Sequence, residues 1–191
     1  MSANTGRCLL IRHGQTEWSL DGRHTGRTDL PLTPEGEAQS RTLGPELVHH
    51  QFTAVLCSPL LRARRTCELA GLGGRAVIDP DLSEWDYGAY EGLTTAEIRS
   101  ERPGWELFED GVPGGETAAD VGRRTDRVIG RIREATGEVA CVALAHVLRV
   151  LAARWIGLEP VGGRSLVLAP ASVSELGWER ERPVISGWNR T

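Results

Sequence analysis

Arg12, His13, Arg62 and Glu84 are the residues on which chemistry could be built. The apolar run Leu9-Leu10-Ile11 ends in Arg12-His13-Gly14 and then turns polar through Gln15-Thr16-Glu17-Trp18. A short apolar run stopped by glycine reads as a buried strand meeting a loop. In an open α/β sheet, ligands bind just past the carboxyl ends of strands, so His13 and Arg12 belong at the mouth of a site. Histidine can act as a nucleophile near neutral pH. Arginine offers a planar fork that fits a phosphate. Gly14 lets backbone approach a ligand closely. On the tripeptide alone, a surface His beside a surface Arg is an equal reading.

Further signals follow in order: Arg23-His24-Thr25-Gly26-Arg27-Thr28-Asp29, then Ser58-Pro59-Leu60-Leu61-Arg62-Ala63, then Glu84-Trp85-Asp86-Tyr87-Gly88. This set resembles the histidine phosphatase superfamily, the phosphoglycerate-mutase-like proteins, from Leu9 to about Trp155. Its motifs come closest to small-substrate acid and sugar phosphatases. The resemblance implies that His13 forms a phosphohistidine, that Arg12 and Arg62 hold the phosphoryl group, and that Glu84 is the general acid. It implies that the loop from Thr16 to Thr25 lines the phosphate pocket. Ser19 stands there where the family often has Asn, and Arg23, His24, Thr25 and His146 are expected at the substrate, with a loop histidine in solvent an equal reading of His24. An anion is expected between Arg12 and Arg62, the latter helped by the start of its own helix. Glu91, before Gly92, reads as a turn residue. No cofactor and no metal are expected.

One stretch departs from the pattern. The family's second catalytic histidine stands in a motif like Ala-His-Gly-His-x-x-Arg. Here the sequence is Ala143-Leu144-Ala145-His146-Val147-Leu148-Arg149. Aligned through Arg149, that histidine becomes Leu144, and His146 matches the second, non-catalytic one. Either the site has lost a ligand, or the strand runs two residues further and His146 points where Leu144 otherwise would. The kept register of Val147 to Leu151 favours the first reading.

The elements that must position these groups follow from pattern. Cys8 to Ile11 is a first, central strand. Residues 14–32 form a long loop, and loops of this length in compact domains are usually functional. Thr33-Pro34 starts a helix running to about Leu47. Phe52 to Cys57 is a strand, and Ser58-Pro59 repeats the start signal for the helix carrying Arg62. Ala76 to Ile78 is a short strand. Residues 79–116 read as an irregular, substrate-covering insertion with one short helix near Thr95–Arg102. Thr117 and Asp120 form a capping box for a helix whose buried stripe is Ala118, Val121, Thr125, Val128 and Ile132. Its arginines, 123, 124, 127, 131 and 133, read as a solvated face. Val139 to Ala145 is a buried strand, Leu148 to Ile156 a helix, and residues 172–178 and 183–188 an antiparallel edge pair. The expected fold is α/β: three layers, α/β/α, with a mostly parallel central sheet, phosphoglycerate-mutase-like, as one domain over 1–191.

Composition sets outer bounds. The chain has 191 residues, 40% hydrophobic and 25% charged, with a net charge of −4, an ordinary soluble profile with no nucleic-acid or membrane footprint. All 22 basic residues are arginine, so lysine nucleophiles and Schiff bases are excluded. The four cysteines, 8, 57, 67 and 141, show no zinc spacing and read as reduced, buried thiols of a cytoplasmic protein. The N-terminus lacks an apolar signal core. The expected partner is a small phosphorylated molecule, with no nucleic acid and no membrane; a homodimer stays open. The leading function is a metal-independent phosphatase of a small phosphorylated metabolite, its activity weak or redirected through Leu144. Two alternatives stand beside it: a pseudoenzyme binding a phosphorylated ligand, and an enzyme of this fold with non-phosphoryl chemistry.

Overall fold

A computed structural model describes residues 6–191; the first part of the N-terminal stretch read above for an apolar leader lies outside them. A six-stranded sheet runs β3 (Ala76–Ile78), β2 (Phe52–Cys57), β4 (Glu138–Ala143), β1 (Cys8–Arg12), β5 (Val173–Glu179), β6 (Arg182–Arg190). The pairings β3–β2, β2–β4 and β4–β1 are parallel, while β1–β5 and β5–β6 are antiparallel. Thus β5 alone opposes the rest.

Alternation along the central strands builds a core on each face. Cys8 and Leu10 of β1 join Val139, Cys141 and Ala143 of β4 on one face, and Leu9 and Ile11 join Ala140 and Val142 on the other. Helices α7 (Ala118–Glu134) and α8 (Ala145–Trp155) cover the first face; α2 (Pro34–Thr42), α3 (Gly44–Leu47) and α4 (Leu61–Leu69) pack on the second. Three short helices, α1 (Glu17–Asp21), α5 (Thr95–Glu101) and α6 (Leu107–Asp110), lie in the connections. No helix among the described residues is long and apolar enough to cross a membrane.

Several expectations are corrected. The helix expected to reach Leu47 breaks at Leu43 into α2 and α3. Helix α4 starts at Leu61 rather than at Ser58-Pro59, because the carboxylate of Asp29 accepts the Leu61 N–H at 2.7 Å. Residues 79–116 hold two helices, α5 and α6, not one. Strand β4 stops at Ala143, and α8 begins at Ala145, three residues earlier than expected. Arg124 is buried, not solvated, where it grips Glu116 through Nε and Nη2 and the carbonyls of Asp81 and Ser83 through Nη1.

The capping signals fold as read. The Thr33 hydroxyl accepts the Gly36 N–H, and Thr117 and Asp120 make both bonds of the capping box. The close approach at Gly14 is to helix α2 rather than to a ligand. A methyl group on Gly14 would lie 2.2 Å from the Gly36 carbonyl oxygen, so the loop after β1 sits directly on the start of α2. All four cysteines are buried and unbridged.

Candidate active site

Strand β1 delivers Arg12 and His13 to the carboxyl end of the sheet. The His13 N–H donates to the Ala143 carbonyl, which extends the β1–β4 ladder one residue past the strands. The imidazole is buried, and its Nδ1–H donates to the Gly14 carbonyl at 2.6 Å. With that tautomer fixed, Nε2 keeps its lone pair. Burial pushes the imidazole well below the usual histidine range, and the charges of Arg12 and Arg62 push it further down. His13 is therefore neutral at physiological pH.

A cavity of about 280 Å³ lies over this histidine. Of the residues singled out in the sequence, Arg12, His13, Ser19, Arg23, His24, Thr25, Glu84 and His146 line it. Arg12 reaches it with Nη1 tied to the Leu168 carbonyl, while its buried Nε has no partner among the described residues. Desolvation brings its guanidinium down to about 10, against the opposing pull of Glu84.

Arg62 is not in the lining. It is wholly buried behind the loop, with Nη1 on the Thr28 carbonyl and Nη2 on those of Thr25 and Gly26, and its Nε is also unpartnered. It braces the loop and places a positive charge near His13 from behind the wall. The start of its helix is already occupied by the Asp29 carboxylate, which replaces the anion expected there. Glu91 is more than a turn residue, since its carboxylate accepts the N–H groups of Gly26 and Thr28 and holds the same loop from the other side. Ser19 is similarly spent: its hydroxyl accepts the Thr16 N–H and donates to the Thr16 carbonyl, closing a capping box on α1.

Glu84 holds the start of α8. Its Oε1 accepts the N–H groups of Trp85 and Val147, and its Oε2 accepts that of His146 at 3.1 Å. Leu144, the N-cap residue, offers no side-chain bond, so Glu84 supplies the missing cap. Leu144 itself is fully buried in the core. Because β4 has ended, His146 sits in the first turn of α8 rather than on an extended strand, and it does not take the place of Leu144.

Three lining residues carried a sequence signal that residue-by-residue reading left unassigned. Tyr87 and Arg149 stand inside quoted motifs, and Thr95 follows the N-cap of α5. The Tyr87 hydroxyl meets His146 Nδ1 at 2.6 Å. Burial raises the tyrosine and lowers the histidine, so both are uncharged. The two side chains therefore form a neutral hydrogen-bonded pair on the cavity wall. Among the described residues, no group of three or more His, Cys, Asp or Glu side chains is placed to hold a metal ion.

The chain is similar to known proteins over most of its length. The sedoheptulose 1,7-bisphosphatase of Saccharomyces cerevisiae is 40% identical over 191 aligned positions, covering 83% of this chain and 70% of the yeast protein. An acid phosphatase of Mycobacterium tuberculosis is 38% identical over 94% of this chain and 90% of its own. The solved structure of the open reading frame Rv3214 of Mycobacterium tuberculosis superposes with a TM-score of 0.92 at 36% identity, covering 97% of both chains. The family model for the histidine phosphatase superfamily, branch 1, matches residues 8–191. A strand ending in a buried neutral histidine, under a cavity walled by arginine and glutamate, is thus found in a chain that belongs to the histidine phosphatase superfamily.

Proposed function

We propose that the protein hydrolyses a phosphate monoester of a small metabolite through a phosphohistidine on His13, at a rate reduced by Leu144. The observation that carries this reading is the free Nε2 of a buried, neutral His13 in a cavity that the Arg12 side chain lines with it. The phosphatase names borne by the yeast and mycobacterial relatives support the same chemistry.

In the first step His13 Nε2 attacks phosphorus, the P–O bond to the leaving alkoxide breaks, and Glu84 protonates that oxygen. The proton belongs on Oε2, which accepts one N–H where Oε1 accepts two. In the second step water attacks the phosphohistidine and gives its proton back to Glu84, and the P–N bond breaks. Charge spreads over three phosphoryl oxygens in both steps, so positioned cations supply most of the stabilisation. Arg12 contacts that charge and Arg62 acts from behind the loop. Ser19, Arg23, His24, Thr25 and His146 surround the rest of the substrate.

The family's second histidine would add one donor, and Leu144 adds none. That observation also favours a second reading, a binder that holds a phosphorylated ligand without turnover. A panel of phosphate monoesters separates the two when assayed with His13→Ala as control and with inorganic phosphate followed by thermal shift. Turnover lost in His13→Ala supports the hydrolase; phosphate binding without turnover supports the binder; neither one overturns both.

A further inference from the structure

Val167 and Leu168 line the cavity, and they belong to the segment 166–172 that leads into β5. This segment touches both residues of the proposed chemistry through its backbone. The Leu168 carbonyl accepts Arg12 Nη1, and the Ala171 N–H donates to the His13 carbonyl at 3.0 Å. Ser172 closes the turn: its hydroxyl donates to the Ala169 carbonyl at 2.7 Å, and its own carbonyl accepts the Arg12 N–H at 3.1 Å.

The segment holds a strained conformation. Ala171 has φ 50°, in the left-handed region that a residue with a Cβ avoids. Strain of this kind persists only where the surroundings over-determine it. Part of what holds the segment comes from the last strand, β6. Asn189 Oδ1 accepts the Ala169 N–H at 2.6 Å, and the Trp188 indole N–H donates to the Val167 carbonyl at 2.8 Å. Asn189 is itself left-handed, at φ 54°, and its backbone N–H donates to the hydroxyl of the buried Ser174. Asparagine is among the few residues that visit that conformation routinely, and it carries the acceptor that Ala169 needs.

The two ties fall on Val167 and Ala169, the residues on either side of Leu168. They therefore fix the peptide whose carbonyl takes Arg12 Nη1. The donors of a guanidinium lie in one rigid planar fork, so holding one N–H sets the plane of the others. We propose that Asn189 and Trp188 are positioning residues of the active site: by clamping Val167 and Ala169 they hold the Leu168 carbonyl where it orients Arg12 toward the phosphoryl group. Neither side chain lines the cavity, so both act through Arg12 and not on the ligand. This inference rests on the phosphate reading of the main cavity.

Equilibrium titration with inorganic phosphate tests it. Asn189→Gly removes the side-chain acceptor and leaves the left-handed backbone unstrained. Its Kd for phosphate should rise about tenfold, the lower end of one hydrogen bond to a charged group. Trp188→Phe removes the indole N–H, keeps a ring, and should weaken phosphate by about threefold. Arg12→Lys keeps the positive charge without the fork. In that background Asn189→Gly should change the Kd by about twofold or less, because a double-mutant cycle isolates the coupling between the two residues. Melting curves establish that each variant is folded at the temperature of the titration, and Trp188→Phe enters the same cycle if Asn189→Gly does not fold. Phosphate affinity unchanged by Asn189→Gly in the natural background overturns the inference while upholding the main site. An equal loss with Arg12 and with Lys at that position also overturns it, since the effect then belongs to the fold at large and not to the orientation of the guanidinium. Absence of phosphate binding in the natural protein overturns the reading of the main cavity and this inference with it.

Discussion

Rebuilding the family's second histidine is the sharpest perturbation the site allows. Residue 144 directly follows the Ala143 carbonyl that anchors the His13 N–H, and it precedes Ala145, which lines the cavity. The double change Leu144→His with Ala145→Gly restores the family's motif at that junction, and an imidazole that turns from the core toward the cavity comes to lie beside His13. One fixed donor to a transferring group is worth about 2.7–4 kcal/mol, or about a hundredfold to a thousandfold in rate. The change also has a structural cost. Leu144 is fully buried, and removing a buried leucine costs about 2–5 kcal/mol, an upper bound because the histidine fills part of the space. Glycine near the start of α8 adds about 1 kcal/mol or less. Since a domain of this size has about 5–15 kcal/mol in hand, the variant should fold with a lowered melting temperature. Steady-state kcat/KM on a monoester should rise at least tenfold, while inhibition by inorganic phosphate stays within a few-fold because Arg12 is untouched. A folded variant no faster than the natural protein refutes the reasoning. His146→Ala then serves as the cross-check: if it alone abolishes turnover, His146 was already supplying the donor.

Other expectations follow from buried charge. His13, His24 and His146 all lie below their ordinary value of 6.5 in the folded protein, so the unfolded chain binds more protons as pH drops through that value, and stability must fall with it. Urea melts at pH 7.5 and 5.5 should show the loss, and His24→Asn should flatten the slope; an unchanged slope would count against the neutral histidines. Arg62→Ala should lower stability by about 1.5–3 kcal/mol for the charged hydrogen bonds it removes from the 25–28 loop, together with turnover; a loss of turnover with an unshifted melt would mean Arg62 touches substrate directly. Tyr87→Phe should remove the hydrogen bond at His146 Nδ1, visible as a change in the imidazole nitrogen shifts, and an unchanged spectrum would refute the pairing. Activity should survive a chelator, and restoration by a divalent metal after chelation would contradict the phosphohistidine route.

What could be read from the sequence was what is decided locally. The strand ending at Arg12, the Thr33 cap and the Thr117–Asp120 box depend on residues within four positions of one another, and each folds as read. The two misplaced helix starts share a different cause. Helix α4 is capped by Asp29, 32 residues before it, and α8 by Glu84, more than 60 residues before it. No local pattern marks such caps, because the acceptor and the orphan N–H groups meet only after the sheet has formed. Arg124 was misjudged for the same kind of reason: it is buried because the Asp81 and Ser83 carbonyls reach it across the fold.

These long-range caps both fall at the active site, and that has a mechanical consequence. Glu84 binds the first turn of α8 through two N–H groups and lines the cavity, so Glu84, His146 and Arg149 are positioned as one unit. Asp29 and Glu91 clamp the loop that Arg62 braces from within, so the opposite wall is a second unit. Replacing Glu84 by Gln would therefore alter more than proton transfer. An amide oxygen can accept from the helix but its NH₂ group cannot, so one N–H of α8 is left unmet. The loss in kcat should come with a lowered melting temperature, whereas Glu84→Asp should keep the acid while displacing both. Equal melting curves for the natural protein and Glu84→Gln would show that the carboxylate does not hold the helix, and would detach the catalytic role of Glu84 from its structural one.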